Sequence, residues 1–309
     1  MDTAHPSSES AGAGIYPSLS ARARVMSIYD EKLAHWPVPF EERDVRTRYG
    51  STHVVVSGAA DAPPVVLVHM AGCAAVVWRS LVASLAKDHC VYAIDTIGDA
   101  GKSALDDLHR YPRTGDDYTA WLRDVWDALR LGAADLIAGS MGGWIALHFT
   151  SREPTRVRRL VLMGPMGLPS WPQTLLVLFR LATVGMSPSA SKSERLLSWA
   201  IGDSPVVRAE VGDWMNALLE SHCKTRLGSP LPLPASRLER IEAPTLVVLG
   251  GKDGPIGDAD RAAGRARAHI PHVDVVILRD AGHAMSIEAA ERVGPRVTEF
   301  LRPPSMTKP

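Results

Sequence analysis

Apolar residues along this chain fall into short runs separated by amphipathic stretches. The run at 64–69, Pro-Val-Val-Leu-Val-His, is apolar at almost every position. A strand without polar alternation is buried on both faces, as in a parallel sheet. Residues 90–95, 136–138, 157–163, 245–249 and 273–278 are further strand candidates. Between them, 76–87, 116–131 and 287–301 carry helical spacing, with Asp116 placed to cap its helix. Residues 19–36 predict an amphipathic helix stopped by Pro37 and Pro39. Residues 45–49 and 52–57 flank Gly50-Ser51, a hairpin signal. Strands alternating with helices predict an α/β fold with right-handed βαβ crossovers.

The rhythm breaks between 166 and 236. Helical pieces at about 173–184, 194–201 and 206–222 are followed by Gly-Ser-Pro-Leu-Pro-Leu-Pro at 228–234, an extended linker. A helical insertion between strands sits over the carboxyl ends of the sheet, where open α/β sheets bind ligands. The expectation is a helical cap or lid at 166–236 inserted into a core of 19–165 and 237–302. The plainer alternative is a peripheral packing insertion. Residues 1–18, rich in Ser, Ala, Gly and Pro, lack a basic and an apolar region and are expected to be a disordered tail rather than a signal peptide.

Composition narrows the function classes. The 34 basic and 34 acidic residues balance, and no basic stripe stands out, so nucleic acid is not an expected partner. Cys73, Cys90 and Cys223 are odd in number and far apart, which suggests neither a disulfide framework nor a zinc site and favours a reducing, cytoplasmic setting. The apolar run 175–179 ends at Arg180, too short to span a bilayer. No cofactor or metal is expected: Asp253, Asp258 and Asp260 lack the Gly and Glu of an EF-hand loop, and 98–101 lacks the ending of a phosphate loop.

The chemistry centres on Ala138-Gly139-Ser140-Met141-Gly142-Gly143, between a strand candidate and a helical stretch. Small residues at 138 and 142, where a larger side chain is expected to collide with neighbouring backbone, permit a tight strand-to-helix turn that lifts the Ser140 hydroxyl above the sheet. A serine needs a base, and His283 follows the last strand, after Gly282. The base needs an orienting carboxylate, and Asp253 lies just past the strand at 245–249, with Asp258 and Asp260 as alternatives that also suit helix capping. Glu288 suits the first turn of the last helix in the same way. Two backbone N–H groups must meet the developing oxyanion. Met141, directly after the serine, and Ala71, in the loop after 65–69, are the candidates. His69 is expected to brace that loop. Cys73 is expected to be a small buried hydrophobe rather than a rival nucleophile.

On these residues the chain resembles the α/β-hydrolase superfamily, in the order Ser140, Asp253, His283. The resemblance covers about 45–301. Asp95-Thr96-Ile97-Gly98-Asp99-Ala100-Gly101-Lys102-Ser103 is similar to the family's Asp-x-x-Gly-x-Gly-x-Ser loop, with one extra residue between the glycines, and Trp78 fits the helix after the oxyanion loop. The resemblance is to bacterial carboxylesterase-type members with a helical cap. It implies an α/β-hydrolase fold, with a mostly parallel central sheet flanked by helices, and a serine hydrolase that cleaves a carboxylic ester through an acyl-enzyme. Relatives of this kind also act as thioesterases, as lactone-forming enzymes, or as carbon–carbon bond hydrolases of dienoic ketoacids. For the last, Arg180, Arg195 or Arg208 are the candidates to clamp a carboxylate. Other relatives serve as non-catalytic small-molecule receptors. The expected partner is a small molecule with an apolar acyl or alcohol portion. Two positions depart from the family: Met70 follows His69 where glycine is usual, and Ala138 stands where glycine is commoner.

Overall fold

The computed structural model describes residues 14–186, 190–202 and 204–302. Helix α1 (Leu19–Ala34) is capped by Ser18, whose Oγ accepts from Ala21 N–H at 3.1 Å. Strands β1 (Phe40–Thr47) and β2 (Gly50–Ser57) form a hairpin, followed by β3 (Pro64–Val68), α2 (Arg79–Leu85), β4 (Cys90–Ile94) and the short β5 (Ala104–Leu105). Then come α3 (Gly115–Ala128), β6 (Ala134–Gly139), α4 (Ser140–Arg152) and β7 (Val157–Met163). Helices α5 (Trp171–Met186), α6 (Ala190–Ile201), α7 (Pro205–Glu220) and α8 (Ala235–Leu238) precede β8 (Thr245–Gly250). The chain continues with α9 (Ala259–His269), β9 (Val273–Leu278), α10 (Met285–Glu288) and α11 (Ala290–Leu301).

The strands form one sheet in the order β1-β2-β4-β3-β6-β7-β8-β9, with β5 on β2. The pairings β1–β2, β2–β4 and β2–β5 are antiparallel; the rest are parallel. The central strands are buried along their length, and their residues alternate between two apolar layers. Val65, Leu67 and Ile137 feed one layer, with Trp78, α1 and α11; Val66, Val68, Leu136 and Ala138 feed the other, with α3, α4 and α9. Each layer buries one parity of each central strand, which is why these strands show no polar alternation in sequence.

Register sets the position of the site. Val68 pairs with Ala138, Gly139 with Met163, and Gly250 with Leu278. The carboxyl ends of β3, β6, β7, β8 and β9 therefore share one edge, where crossover loops in open α/β sheets carry function.

Three local features differ from the sequence expectation. The hairpin turns at Arg48-Tyr49, not Gly50-Ser51: Asp124 of α3 accepts from the N–H and Nε of Arg48, at 2.8 Å each. Gly50 instead serves β5, since a Cβ there would lie 2.1 Å from Ala104 O. Helix α3 is capped by Thr114 in a capping box with Asp117, two residues ahead of Asp116. Of the expected tail, 1–13 lie outside the described residues, while Tyr16 is buried and its hydroxyl accepts from Gly101 N–H at 3.3 Å.

Helices α5, α6 and α7 lie between β7 and β8, and the ends of this insertion are pinned together. Leu233 N–H donates to Gly167 O at 3.0 Å. Arg265 of α9 donates to Gly167 O (2.8 Å), Leu168 O (3.0 Å) and Leu233 O. Among the described residues no helix is long and apolar enough to cross a membrane.

Candidate active site

Ser140 opens α4 with φ +50°, a left-handed conformation that costs a non-glycine residue about 1–3 kcal/mol. The surroundings enforce it. A Cβ on Gly142 would come within 2.4 Å of Val68 O and 2.6 Å of His69 O, and one on Gly143 within 2.6 Å of the Pro165 ring. The steric demand thus falls on 142 and 143, while position 139 has ordinary room. Met166 N–H donates to Ser140 O at 3.0 Å, tying the turn to the end of β7. Met141 is the second residue of α4, where backbone N–H groups have no partner inside the helix.

His283 donates from Nδ1 to Asp253 Oδ2 at 2.8 Å, and both residues are buried. Asp253 Oδ1 accepts from Ile256 N–H at 2.8 Å, which fixes the carboxylate. With the proton on Nδ1, Nε2 is free to accept one. His283 and Ser140 line the same cavity. Burial by itself lowers the His283 pKa, but the charge and hydrogen bond of Asp253, followed by the charge of Glu288, leave it raised above its ordinary value.

The alternatives for the acid take structural roles. Asp258 caps α9, accepting from Arg261 N–H at 2.9 Å, and Asp260 pairs with Arg279 at 2.5 Å on the surface. Glu288 does more than serve a helix end. Its carboxyl is pushed up, first by burial, against the N–H groups of Gly282 and Ala284, on either side of His283. Gly164 is a requirement that the sequence did not signal: it has φ +51°, and a Cβ there would lie 2.8 Å from Asp253 Oδ2 and 3.2 Å from His283 Nδ1.

The loop after β3 brings Met70, Ala71 and Gly72 to the cavity opposite Ser140 and Met141. His69 braces it: Nδ1–H donates to Met70 O (2.8 Å), and Nε2 accepts from Thr96 N–H (2.9 Å). Both ring nitrogens are occupied, and burial lowers the His69 pKa, so it holds a neutral ring. Cys73 is buried, and burial pushes its thiol up to about 12, so it has no thiolate at neutral pH.

The cavity has a volume of about 600 Å³. Met70, Leu178, Leu181, Leu197, Met215 and Ile287 are typical of its walls; Ser140, Thr225, Ser229 and His283 supply its polar side chains, and no charged residue lines it among the described residues. Arg180 stacks on Trp199 at 4.6 Å, Arg208 holds Glu194 at 2.6 Å, and Arg195 is exposed; none lines the cavity.

Residues 63–290 match the model of the alpha/beta hydrolase fold. The chain is 29% identical to carboxylesterase YbfK of Bacillus subtilis over 295 residues, 93% of this chain and 96% of that protein. It is 30% identical to a 2-hydroxymuconate semialdehyde hydrolase of a Pseudomonas species, over 77% of this chain and 86% of that one. The crystal structure of naproxen esterase (carboxylesterase NP) from Bacillus subtilis superposes with a TM-score of 0.82 at 30% identity, covering 93% of this chain and 100% of that chain.

Proposed function

This chain belongs to the alpha/beta hydrolase fold family and is an ester hydrolase; we propose that its reaction runs through Ser140, His283 and Asp253. One observation carries this reading: His283, held by the buried Asp253 at 2.8 Å, lines the same cavity as Ser140. Ser140 Oγ attacks the ester carbonyl as its proton passes to His283 Nε2. The carbon–oxygen bond to the alcohol breaks, and His283 returns the proton to the leaving oxygen. Water then attacks the acyl-enzyme, giving its proton to His283, and Ser140 leaves with that proton restored. Asp253 holds the imidazole and stabilises the imidazolium. The N–H groups of Met141 and Ala71 receive the oxyanion at each tetrahedral stage.

The cavity walls favour a neutral ester with an apolar acyl or alcohol portion. Residues 166–236 act as the lid that supplies most of those walls. A carbon–carbon hydrolase of ketoacids is the second reading, supported by the similarity to the Pseudomonas enzyme. It would bring a carboxylate into a cavity that no charged side chain lines among the described residues, which is costly without a partner. Ester and thioester cleavage share the same intermediate and are separated by substrate. A reducing, cytoplasmic setting belongs to the proposal, supported by the free thiols of Cys73, Cys90 and Cys223.

The test is a substrate panel on the wild type and Ser140→Ala. p-Nitrophenyl butyrate should be turned over, and Ser140→Ala should lose at least about 10³-fold in kcat. The anionic p-nitrophenyl hemisuccinate should be turned over at least about tenfold more slowly than the butyrate. Full activity of Ser140→Ala would sink the triad, and preference for the anionic ester would sink the neutral-substrate reading.

A further inference from the structure

Ala71 lies on a loop, and a loop has no helix to aim its N–H groups. Cys73 N–H donates to Met70 O at 3.1 Å, closing a turn whose third residue, Gly72, has φ +72°. The rest of its shape comes from a second loop, residues 95–103, after β4. Asp95 Oδ1 accepts from Ala75 N–H at 2.7 Å, and Thr96 N–H reaches His69. Asp99, 2% exposed, accepts from Gly72 N–H through Oδ2 at 2.9 Å and through Oδ1 at 3.2 Å. Its Oδ1 also accepts from Ala100 N–H at 2.8 Å. From the insertion, Trp214 of α7 donates Nε1–H to Gly72 O at 2.9 Å. Gly72 is therefore gripped at its N–H by a buried carboxyl of the core and at its carbonyl by an indole of the insertion.

We propose that Asp99 and Trp214 are positioning residues for the oxyanion site: by holding the two polar groups of Gly72, they aim the N–H of the preceding Ala71. This rests on the triad reading above, because it assumes an acyl transfer at Ser140. The physical demand is strict. An oxyanion donor must stand about 2.7–3.1 Å from the developing charge, so a small drift of the loop weakens the transition state more than the ground state. Met70, where glycine is usual, adds a long side chain to this loop, and the double grip keeps the turn in place around it. The seat of α7 on the core is thereby joined to catalysis: the helix that walls the cavity also holds the donor.

The experiment measures kcat and KM for p-nitrophenyl butyrate, and Ki for an alkyl trifluoromethyl ketone, on Asp99→Ala, Asp99→Asn, Trp214→Phe and Ser140→Ala. The ketone forms a hemiketal whose oxyanion occupies the same site. Asp99→Ala and Trp214→Phe should lower kcat about 10- to 100-fold with KM within about twofold, less than or comparable to the loss of a whole donor. Ki should rise by the same factor as kcat/KM falls. Asp99→Asn should recover most of the loss, because its amide oxygen still accepts from Gly72 N–H. Ki does not depend on the fraction of protein that is folded, so a merely structural role leaves it at the wild-type value. Wild-type kcat and Ki in Asp99→Ala and Trp214→Phe, with Ser140→Ala inactive, overturn this proposal alone. Retained activity in Ser140→Ala overturns the triad and this proposal with it.

Discussion

At His283, burial favours the neutral imidazole, while Asp253 and Glu288 favour the charged one, and the balance lies above the ordinary 6.5. A base must be neutral to take the serine proton, so kcat/KM should rise with pH along a limb whose apparent pKa exceeds 6.5. Glu288→Gln removes one raising charge and should move that limb to lower pH; an unmoved limb would mean that Glu288 is not felt at the imidazole. Asp99 shows the reverse problem. Burial pushes its carboxyl from 3.8 up to about 7. Its neutral form is favoured inside the fold, so the stability it contributes is complete below the unfolded value and lost as pH rises through about 7. Asp99→Asn has no such proton to lose. Its stability relative to wild type should climb between about pH 4 and about pH 8, by on the order of a few kcal/mol. Thermal melts across that range check this, and a flat difference would contradict it. Neither environment was legible in the sequence. The one hint was the extra residue between Gly98 and Gly101, since Asp99 lies in that interval.

At the scale of elements, strand positions were readable because burial on both faces leaves an unbroken apolar run. Ends were less readable. Asp116 and Thr114 are both capping residues, and only the reciprocal bond to Asp117 selects Thr114. Gly50-Ser51 resembles a turn, but Asp124 on a helix 76 residues away draws the turn to Arg48. The insertion is set by a similarly remote contact. Arg265 satisfies three carbonyls at its entry and exit, so Arg265→Leu strands buried acceptors at a cost of about 1–3 kcal/mol for each one left unpaired. The expected result is a melting temperature lower by several degrees and a raised KM for apolar esters, with kcat less affected. Calorimetry and initial rates decide this; a wild-type melt would show that the insertion is held elsewhere.

At the scale of the molecule, the sheet joins two apolar layers, since its central strands send alternate residues into both. Neither layer can lose its partner without exposing the other face. Trp214 and Val211 of α7 and Val177 of α5 extend these layers into the insertion. The chain should therefore unfold in a single calorimetric transition, insertion included. A separate transition at lower temperature, with Ser140 still reactive toward a fluorophosphonate, would show that 166–236 melts on its own.

The amino-acid order by itself determined the parallel sheet, through strands apolar on both faces, and the turn at Ser140, through small residues where backbones meet. It also pointed to Asp253 and His283. In a parallel sheet the ends of successive strands share one edge, so residues just past separate strands converge without any contact having to be known. Only the tertiary structure decided what surrounds them: Gly164 making room for the His–Asp pair, Glu288 beside His283, a mostly apolar cavity wall, and Gly72 held between Asp99 and Trp214. Apart from Glu288, five positions from His283, those contacts join residues tens to more than a hundred positions apart on elements of different period. No local pattern encodes such a meeting, because it is set by how the insertion packs onto the core.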